Sequence, residues 1–279
     1  MIDNRLEQFI SYIKAIYGDN GQSGVKEKKA PPCCYTFESR TKERIDKPYF
    51  DDCDWQNFWK ITKTYFPLHS VCGNNYMNSV EKIKDKEIAF FKNKIENKLG
   101  KHFFKKEKNV LEIGYGFGAV GHYLIDNYKT NYYGIDYVSS DKNDNDYFYL
   151  AKKRFYEIQN SGIPNELKSI KYDFVFSTNV FQHLTQKQRF DYIKEVYDVL
   201  NKNGVFYFDV FQYNGKKDGF AEQYPNDNYS TCFFNTYTKI DTSEEIETYL
   251  KKCNFKFDRK IEGVVDSYTN GISYTCVKK

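Results

Sequence analysis

The stretch VLEIGYGFGAVGHYL, residues 110 to 124, constrains the fold of this chain more than any other. An apolar run ends at Glu112-Ile113 and passes directly into Gly114, Gly116 and Gly118, after which an apolar helix begins. A turn this tight needs residues without a Cβ, because only glycine enters left-handed backbone conformations at little steric cost. The glycines also let the backbone come close to a ligand, and the helix after them offers its unpaired N–H groups to a polar or negative group such as a carboxylate. A nucleotide-like cofactor is the natural occupant. Eighteen residues after Gly118 a second strand, YYGID at 132 to 136, ends in Asp136, where a carboxylate can accept two hydrogen bonds from a ribose diol.

The pattern around this turn alternates. Strands are predicted at 109 to 113, 132 to 136, 172 to 177 (YDFVFS) and 205 to 211 (VFYFDVF), the last preceded by Asn203-Gly204. Helices are predicted after Gly118, around 146 to 160, and over a stretch carrying Phe190, Ile193, Tyr197 and Leu200. Strand-helix alternation implies a parallel sheet with both faces covered. Thr242 and Glu245 match a capping box before a short helix through Lys252, and the β-like runs 255 to 263 and 272 to 277 form an antiparallel hairpin that closes the sheet. Upstream, Val80, Ile83, Ile88, Phe91, Ile95 and Leu99 recur at helical spacing, with Ser79 as N-cap and Gly100 just past the end. The opening MIDNRLEQFISYIKAIY reads as an amphipathic helix, and the polar residues 18 to 52 read as a loop. The expected fold is therefore α/β, a mostly parallel sheet of seven or six strands. Residues 1–100 form an N-terminal helical cap, 101–279 the core domain, and 213–240 an insertion that serves as a substrate loop.

Composition narrows the function classes. In 279 residues, 40% are hydrophobic and 29% charged, and no run approaches the length of a membrane span. Seven cysteines, with Cys33 and Cys34 adjacent and no CxxC pair, point to neither a disulfide framework nor a zinc site, so a reducing cytoplasm fits and no metal is expected. The net charge is only +4, and lysine runs such as 26 to 29 and 105 to 108 are broken by glutamate, which reads as solvated surface and not as a nucleic-acid groove.

The glycines alone leave two cofactors open. GYGFGA also satisfies the dinucleotide pattern G-x-G-x-x-[G/A], and Tyr149/Lys153 and Tyr213/Lys217 match the Tyr-x-x-x-Lys pairs of some dehydrogenases. Beyond the turn, however, the chain resembles class I S-adenosylmethionine-dependent methyltransferases. Their motif E-x-G-x-G-x-G is matched by Glu112, Gly114, Gly116 and Gly118, and the segments GID with Asp136, YDFVFSTNVFQHL with Asp173 and His183, and LNKNGVFYFDVF are similar to successive later landmarks of that family. The resemblance covers roughly residues 109 to 278. It implies a Rossmann-like fold and S-adenosyl-L-methionine as cofactor. Gly114, Tyr115, Gly116 and Gly118 would hold its amino-acid end and Asp136 its ribose, with Glu112 also among the cofactor-binding residues. The segment from Ser177 to His183 would face the transferred methyl, with Ser177 and Asn179 at the cofactor. The family's third strand, which ends in an acid near the adenine, reads here as shortened or lost, because only NSGIPNELKSIK separates the preceding helix from Tyr172.

Methyl transfer from a sulfonium is an in-line displacement with an excellent leaving group, so the protein aligns the partners and removes a proton from the nucleophile. His183, just beyond the fourth strand, is the preferred general base, because its imidazole titrates in the useful range. Asp209, at the end of the fifth strand, is the reserve. His69, His102 and His122 read as structural or surface residues, and Trp55, Trp59, Tyr65 and Phe66 as packing of the cap. The acceptor is expected to be a hydroxyl of a small polar molecule, with sugars and nucleotide-activated sugars among the candidates, and no nucleic-acid or membrane partner is expected. N-methylation of an amine or macromolecular side chain is the alternative within this chemistry. A non-catalytic Rossmann-like binding module is the alternative outside it.

Overall fold

A computed structural model describes residues 80–116, 118–137, 154–158, 160–184, 186–213, 240–241, 243–264 and 269–279. The expected helix 1 to 17, the loop 18 to 52, the aromatic cluster 55 to 66, His69, the Ser79 and Thr242 caps, the Tyr149/Lys153 pair and the loop 214–239 lie outside these residues.

Helix α1, Val80–Phe91, continues through a π-type turn, Lys92–Glu96, and a final turn, Asn97–Leu99. Gly100 then stops it, with φ of 91°. A 3₁₀ turn, Lys101–Phe104, leads into β1, Asn109–Ile113. Helix α2, Ala119–Tyr128, and strand β2, Asn131–Asp136, come after it. Next are β3, Phe155–Glu157, the one-turn helix α3, Asn165–Lys168, and β4, Tyr172–Ser177. The 3₁₀ turn Phe181–His183 precedes α4, Gln186–Val199, and β5, Leu200–Tyr213. The chain closes with β6, Ile240–Asp241, α5, Ser243–Lys252, β7, Phe255–Val264, and β8, Thr269–Lys278.

These strands make one sheet in the order β3-β2-β1-β4-β5-β8-β7, with β6 beside β5. Every pairing from β3 to β5 is parallel, as is β5 with β6, whereas β8 runs antiparallel to β5 and to β7. This is the expected parallel sheet with an antiparallel closing hairpin. Because strand residues alternate between faces, the hydrophobic residues divide into two clusters. One face packs Phe174, Phe176, Val205 and Tyr207 with Phe91 and Ile95 of the first helical segment and Leu124 of α2. The other packs Val175, Phe206, Phe208 and Tyr274 with Ile193 and Val196 of α4 and Ile246 and Leu250 of α5.

The structure departs from expectation at two places. The helix expected around 146 to 160 does not extend to its predicted end, because Phe155–Glu157 form β3, parallel to β2. Phe155 sets its ring edge-on to Tyr115 at 5.0 Å and close to Tyr132, so local helical spacing yields to the packing that a sheet edge offers here. The third strand is therefore short and present, not lost. The fifth strand is also longer than expected, since Asn203, at φ of 63°, is taken up as an irregularity between β4 and β5 and does not break the strand.

Candidate functional site

The parallel strands point their carboxyl ends to one rim, and the glycine turn sits at its centre. Gly114, Gly116 and Gly118 all have positive φ, at 79°, 55° and 76°, and the Gly118 N–H closes the turn on the Tyr115 carbonyl at 2.7 Å. The Gly114 N–H donates to the Ile135 carbonyl of β2 at 2.8 Å, which ties the turn to the neighbouring strand. A Cβ at Gly114 would stand 2.2 Å from Val180 Cγ2, so the segment after β4 lies directly against the turn. At Gly116, by contrast, a Cβ would meet nothing within 4 Å.

Asp136, at the end of β2, is held in place from both sides. Its Oδ2 accepts the Gly116 N–H at 2.7 Å, and its Oδ1 accepts the Tyr137 N–H at 2.7 Å. These two backbone bonds fix the orientation of the carboxylate at the end of the strand. In the β2–β3 register Asp136 stands beside Glu157, and the Ile158 N–H donates to the Asp136 carbonyl at 2.8 Å. Glu157 and Ile158 form the acid and the apolar step at the end of the third strand. The run FYEI carries their signal, but the helical spacing around it masks the strand.

The other candidates divide by what their side chains touch. Glu112 is buried on the face of α1 and α2, where it accepts a hydrogen bond from the Tyr132 hydroxyl. Burial pushes its carboxyl up to about 8, opposed by that hydrogen bond and reinforced by the charges of Glu87 and Asp136. Tyr115 is buried against Phe155, so what it presents to the turn is backbone. Ser177 is also buried, and its Oγ donates to the Ile113 carbonyl at 2.9 Å, joining β4 to β1 at the rim. Asn179 adopts φ of 59°, and its N–H donates to Asp209 Oδ1 at 2.7 Å. Asp209 lies one residue past Phe208, the partner of Ser177, so it stands at the rim. Desolvation pushes its carboxyl up to about 7 against the Asn179 hydrogen bond. His183 ends the 3₁₀ turn after β4, and its side chain lies outside the described residues. Among the described residues no group of His, Cys, Asp and Glu is arranged to hold a metal ion.

Glu112 makes a stability prediction whose sign is fixed. Its pKa is raised on folding from an ordinary 4.5 to about 8, so its contribution is fully present below pH 4.5 and is lost as pH rises through 8. Glu112→Gln removes that titration while keeping an acceptor for Tyr132. Thermal unfolding between pH 6 and 9 should show the wild-type midpoint falling relative to the variant as pH rises. A constant difference across that range would show that Glu112 stays ionised in the fold.

A model of the family described as "Methyltransferase domain" matches residues 85–260, well over half of the chain. The chain belongs to the methyltransferase-domain family. The resemblance to S-adenosylmethionine-dependent methyltransferases read from the sequence thus stands. A search of curated proteins finds no match. Among solved structures, the fold is shared with a protein from Galdieria sulphuraria described as a sarcosine dimethylglycine methyltransferase, at 12% identity and a TM-score of 0.52, covering 81% of this chain and 98% of that one. An S-adenosylmethionine-dependent methyltransferase from Methanosarcina mazei is similar at 19% identity and a TM-score of 0.45, over 62% of this chain and 93% of that one. The phosphoethanolamine N-methyltransferase 2 of Haemonchus contortus, in complex with S-adenosyl-L-methionine, is similar at 16% identity and a TM-score of 0.49, over 80% of this chain and 60% of its own. This methyltransferase therefore spans about three fifths of that last relative. No helix among its described residues is long and apolar enough to cross a membrane.

Proposed function

We propose that this methyltransferase moves a methyl group from S-adenosylmethionine to a hydroxyl of a small polar acceptor, a sugar or nucleotide-activated sugar, with His183 as general base and Asp209 in reserve. The observation that carries the cofactor assignment is the clamp between Gly116 and Asp136, beside the open space at the Gly116 Cβ position. The charge of the rim supports it. Asp136 and Glu157 form a row of two carboxyls on the same face of the sheet, as the β2–β3 register places them. Such a row suits a cofactor with a sulfonium and an ammonium.

Each part of the cofactor has a counterpart in the chain. The backbone of Gly114 to Gly118 meets the amino-acid end, Asp136 takes the ribose hydroxyls, and Glu157 with Ile158 stands where the adenine side would lie. Glu112, Tyr115 and Ser177 act beneath this surface by holding the turn and the strand ends in place. When bound, the cofactor supplies a methyl on a positively charged sulfur that leaves as a neutral thioether. The chain's own work is to seat the acceptor oxygen in line with that methyl and to take its proton, on His183 Nδ1 or Nε2 or on an Asp209 carboxylate oxygen. The insertion 213–240 leaves β5 at this same rim, and a long segment without regular periodicity there supports a small polar acceptor. The carboxylate row would also attract a cationic amine, which keeps N-methylation as the second reading.

Calorimetric titration with S-adenosylhomocysteine, NAD and NADP tests the cofactor. Micromolar binding of the first alone is expected, binding of only a dinucleotide overturns the reading, and binding of none favours a non-catalytic module. His183→Ala should leave S-adenosylhomocysteine affinity unchanged and lower turnover about 100-fold on whichever hydroxyl or amine acceptor a panel identifies. Unchanged turnover removes His183 as base.

A further inference from the structure

The segment between β4 and α4 is gripped at two points by side chains of other elements. At one point the Asn179 N–H donates to Asp209 Oδ1 of β5 at 2.7 Å. At the other, Arg189, near the start of α4 and fully buried, donates its Nε–H to the Phe181 carbonyl at 2.7 Å. The same carbonyl accepts the Leu184 N–H at 3.2 Å, and the Phe181 ring, also fully buried, lies 4.8 Å from Phe208 and 5.8 Å from Phe206. Val180 stands between the two grips, and a Cβ on Gly114 would come within 2.2 Å of its Cγ2. The segment is not relaxed, since Asn179 has φ of 59°, a conformation that a residue other than glycine keeps where its surroundings hold it.

We infer that Arg189 is a positioning residue for cofactor binding, which through the Phe181 carbonyl holds Val180 against Gly114 and so keeps the glycine turn in its receiving shape. The inference rests on the reading of Gly114 to Gly118 as the cofactor site. Packing of the ring fixes where Phe181 sits, but not how the backbone rotates about it. The bond from Arg189 to the carbonyl sets that rotation, and with it the direction of the preceding Val180. A guanidinium suits this task, because it stays charged at every working pH and a charged donor bonds about twice as strongly as a neutral one. Burying such a charge is costly, so a fully buried arginine spent on one backbone carbonyl marks a place where the backbone has to be held. Arg189 acts through Phe181 and Val180 and needs no contact with the ligand.

The test needs no acceptor. Affinity of the full chain for S-adenosylhomocysteine is measured by calorimetry, well below the unfolding midpoint of each variant. Arg189→Met should weaken binding about tenfold, and Arg189→Lys, which keeps a charged donor for the carbonyl, should recover most of the loss. Val180→Ala leaves the anchor intact and should weaken binding several-fold by itself. In that background Arg189→Met should add almost nothing, because both substitutions act on the same contact. A lower Tm with unchanged affinity in Arg189→Met makes the arginine merely structural and overturns the proposal. A full further tenfold loss in the Val180→Ala background overturns it as well, because Arg189 then acts by another route. Where Arg189→Met does not fold, Val180→Ala decides, and wild-type affinity in that variant overturns the proposal. Absence of S-adenosylhomocysteine binding in the wild type overturns instead the cofactor reading on which it rests.

Discussion

Asp136→Ala should weaken S-adenosylhomocysteine binding by at least about 100-fold, while the protein remains folded. A charged acceptor bonded to two ribose hydroxyls contributes about 1.5 to 3 kcal/mol for each bond, and each 1.4 kcal/mol is about tenfold in Kd. The substitution also releases the N–H groups of Gly116 and Tyr137, which converge on this side chain. The turn would lose its clamp as well as its ribose acceptor, so the loss should exceed that of removing the ligand bonds alone. Asp136→Asn separates the two contributions, because a carboxamide oxygen can still accept one of the backbone N–H groups but carries no charge. Calorimetry should rank the affinities wild type, Asn variant, Ala variant. Equal affinity for all three would place the ribose elsewhere.

Replacing either of two neighbouring glycines should give opposite phenotypes. In Gly114→Ala the new methyl would stand 2.2 Å from Val180 Cγ2, at a φ of 79° that L side chains rarely adopt. Either Val180 or the turn must move. Overpacking and backbone strain together should destabilise the protein by about 2 to 4 kcal/mol, a fall of about 5 to 10 °C in Tm for a chain of this size. Gly116→Ala meets no protein atom within 4 Å and carries only the smaller left-handed penalty of about 1 to 2 kcal/mol. Its methyl occupies the space the ligand would approach, so affinity should fall much more than Tm. Differential scanning calorimetry with S-adenosylhomocysteine titration reads both. A Gly116→Ala variant that binds normally would show that the ligand does not approach this turn.

The parts of the structure legible in the sequence are those where local pattern and tertiary environment agree. NVLEI and YDFVFS are strands over 109–113 and 172–177 as expected, because a central parallel strand is apolar on both faces and short. Gly100 ends the helix before β1 as expected, since only the backbone decides that event. Residues 155 to 157 are not legible as a strand, because three residues have too little periodicity to outweigh a helical-looking neighbourhood, and their packing partners Tyr115 and Tyr132 are distant in sequence. The same limit applies at the site. Asp136 is readable from its position at a strand end, but the Gly116 bond that orients it is not. No spacing announces that Lys94, Glu262 and Ser273 meet, because they come from three separated segments.

The place of β8 has a consequence for how such a chain is made. Residues 269–278 do not hang on an outer edge but lie between β5 and β7, with Tyr274 and Cys276 fully buried. Until that segment has left the ribosome, the long flank of β5 from Val205 to Tyr213 has no antiparallel partner, and the apolar Phe208 lacks the cover that Tyr274 supplies. An open, apolar strand flank is the surface on which chains pair wrongly with one another. The nascent protein therefore passes through a long aggregation-exposed interval that ends only when residues 269–278 close the sheet, and shielding during synthesis matters more for this arrangement than for one whose closing strand is made early.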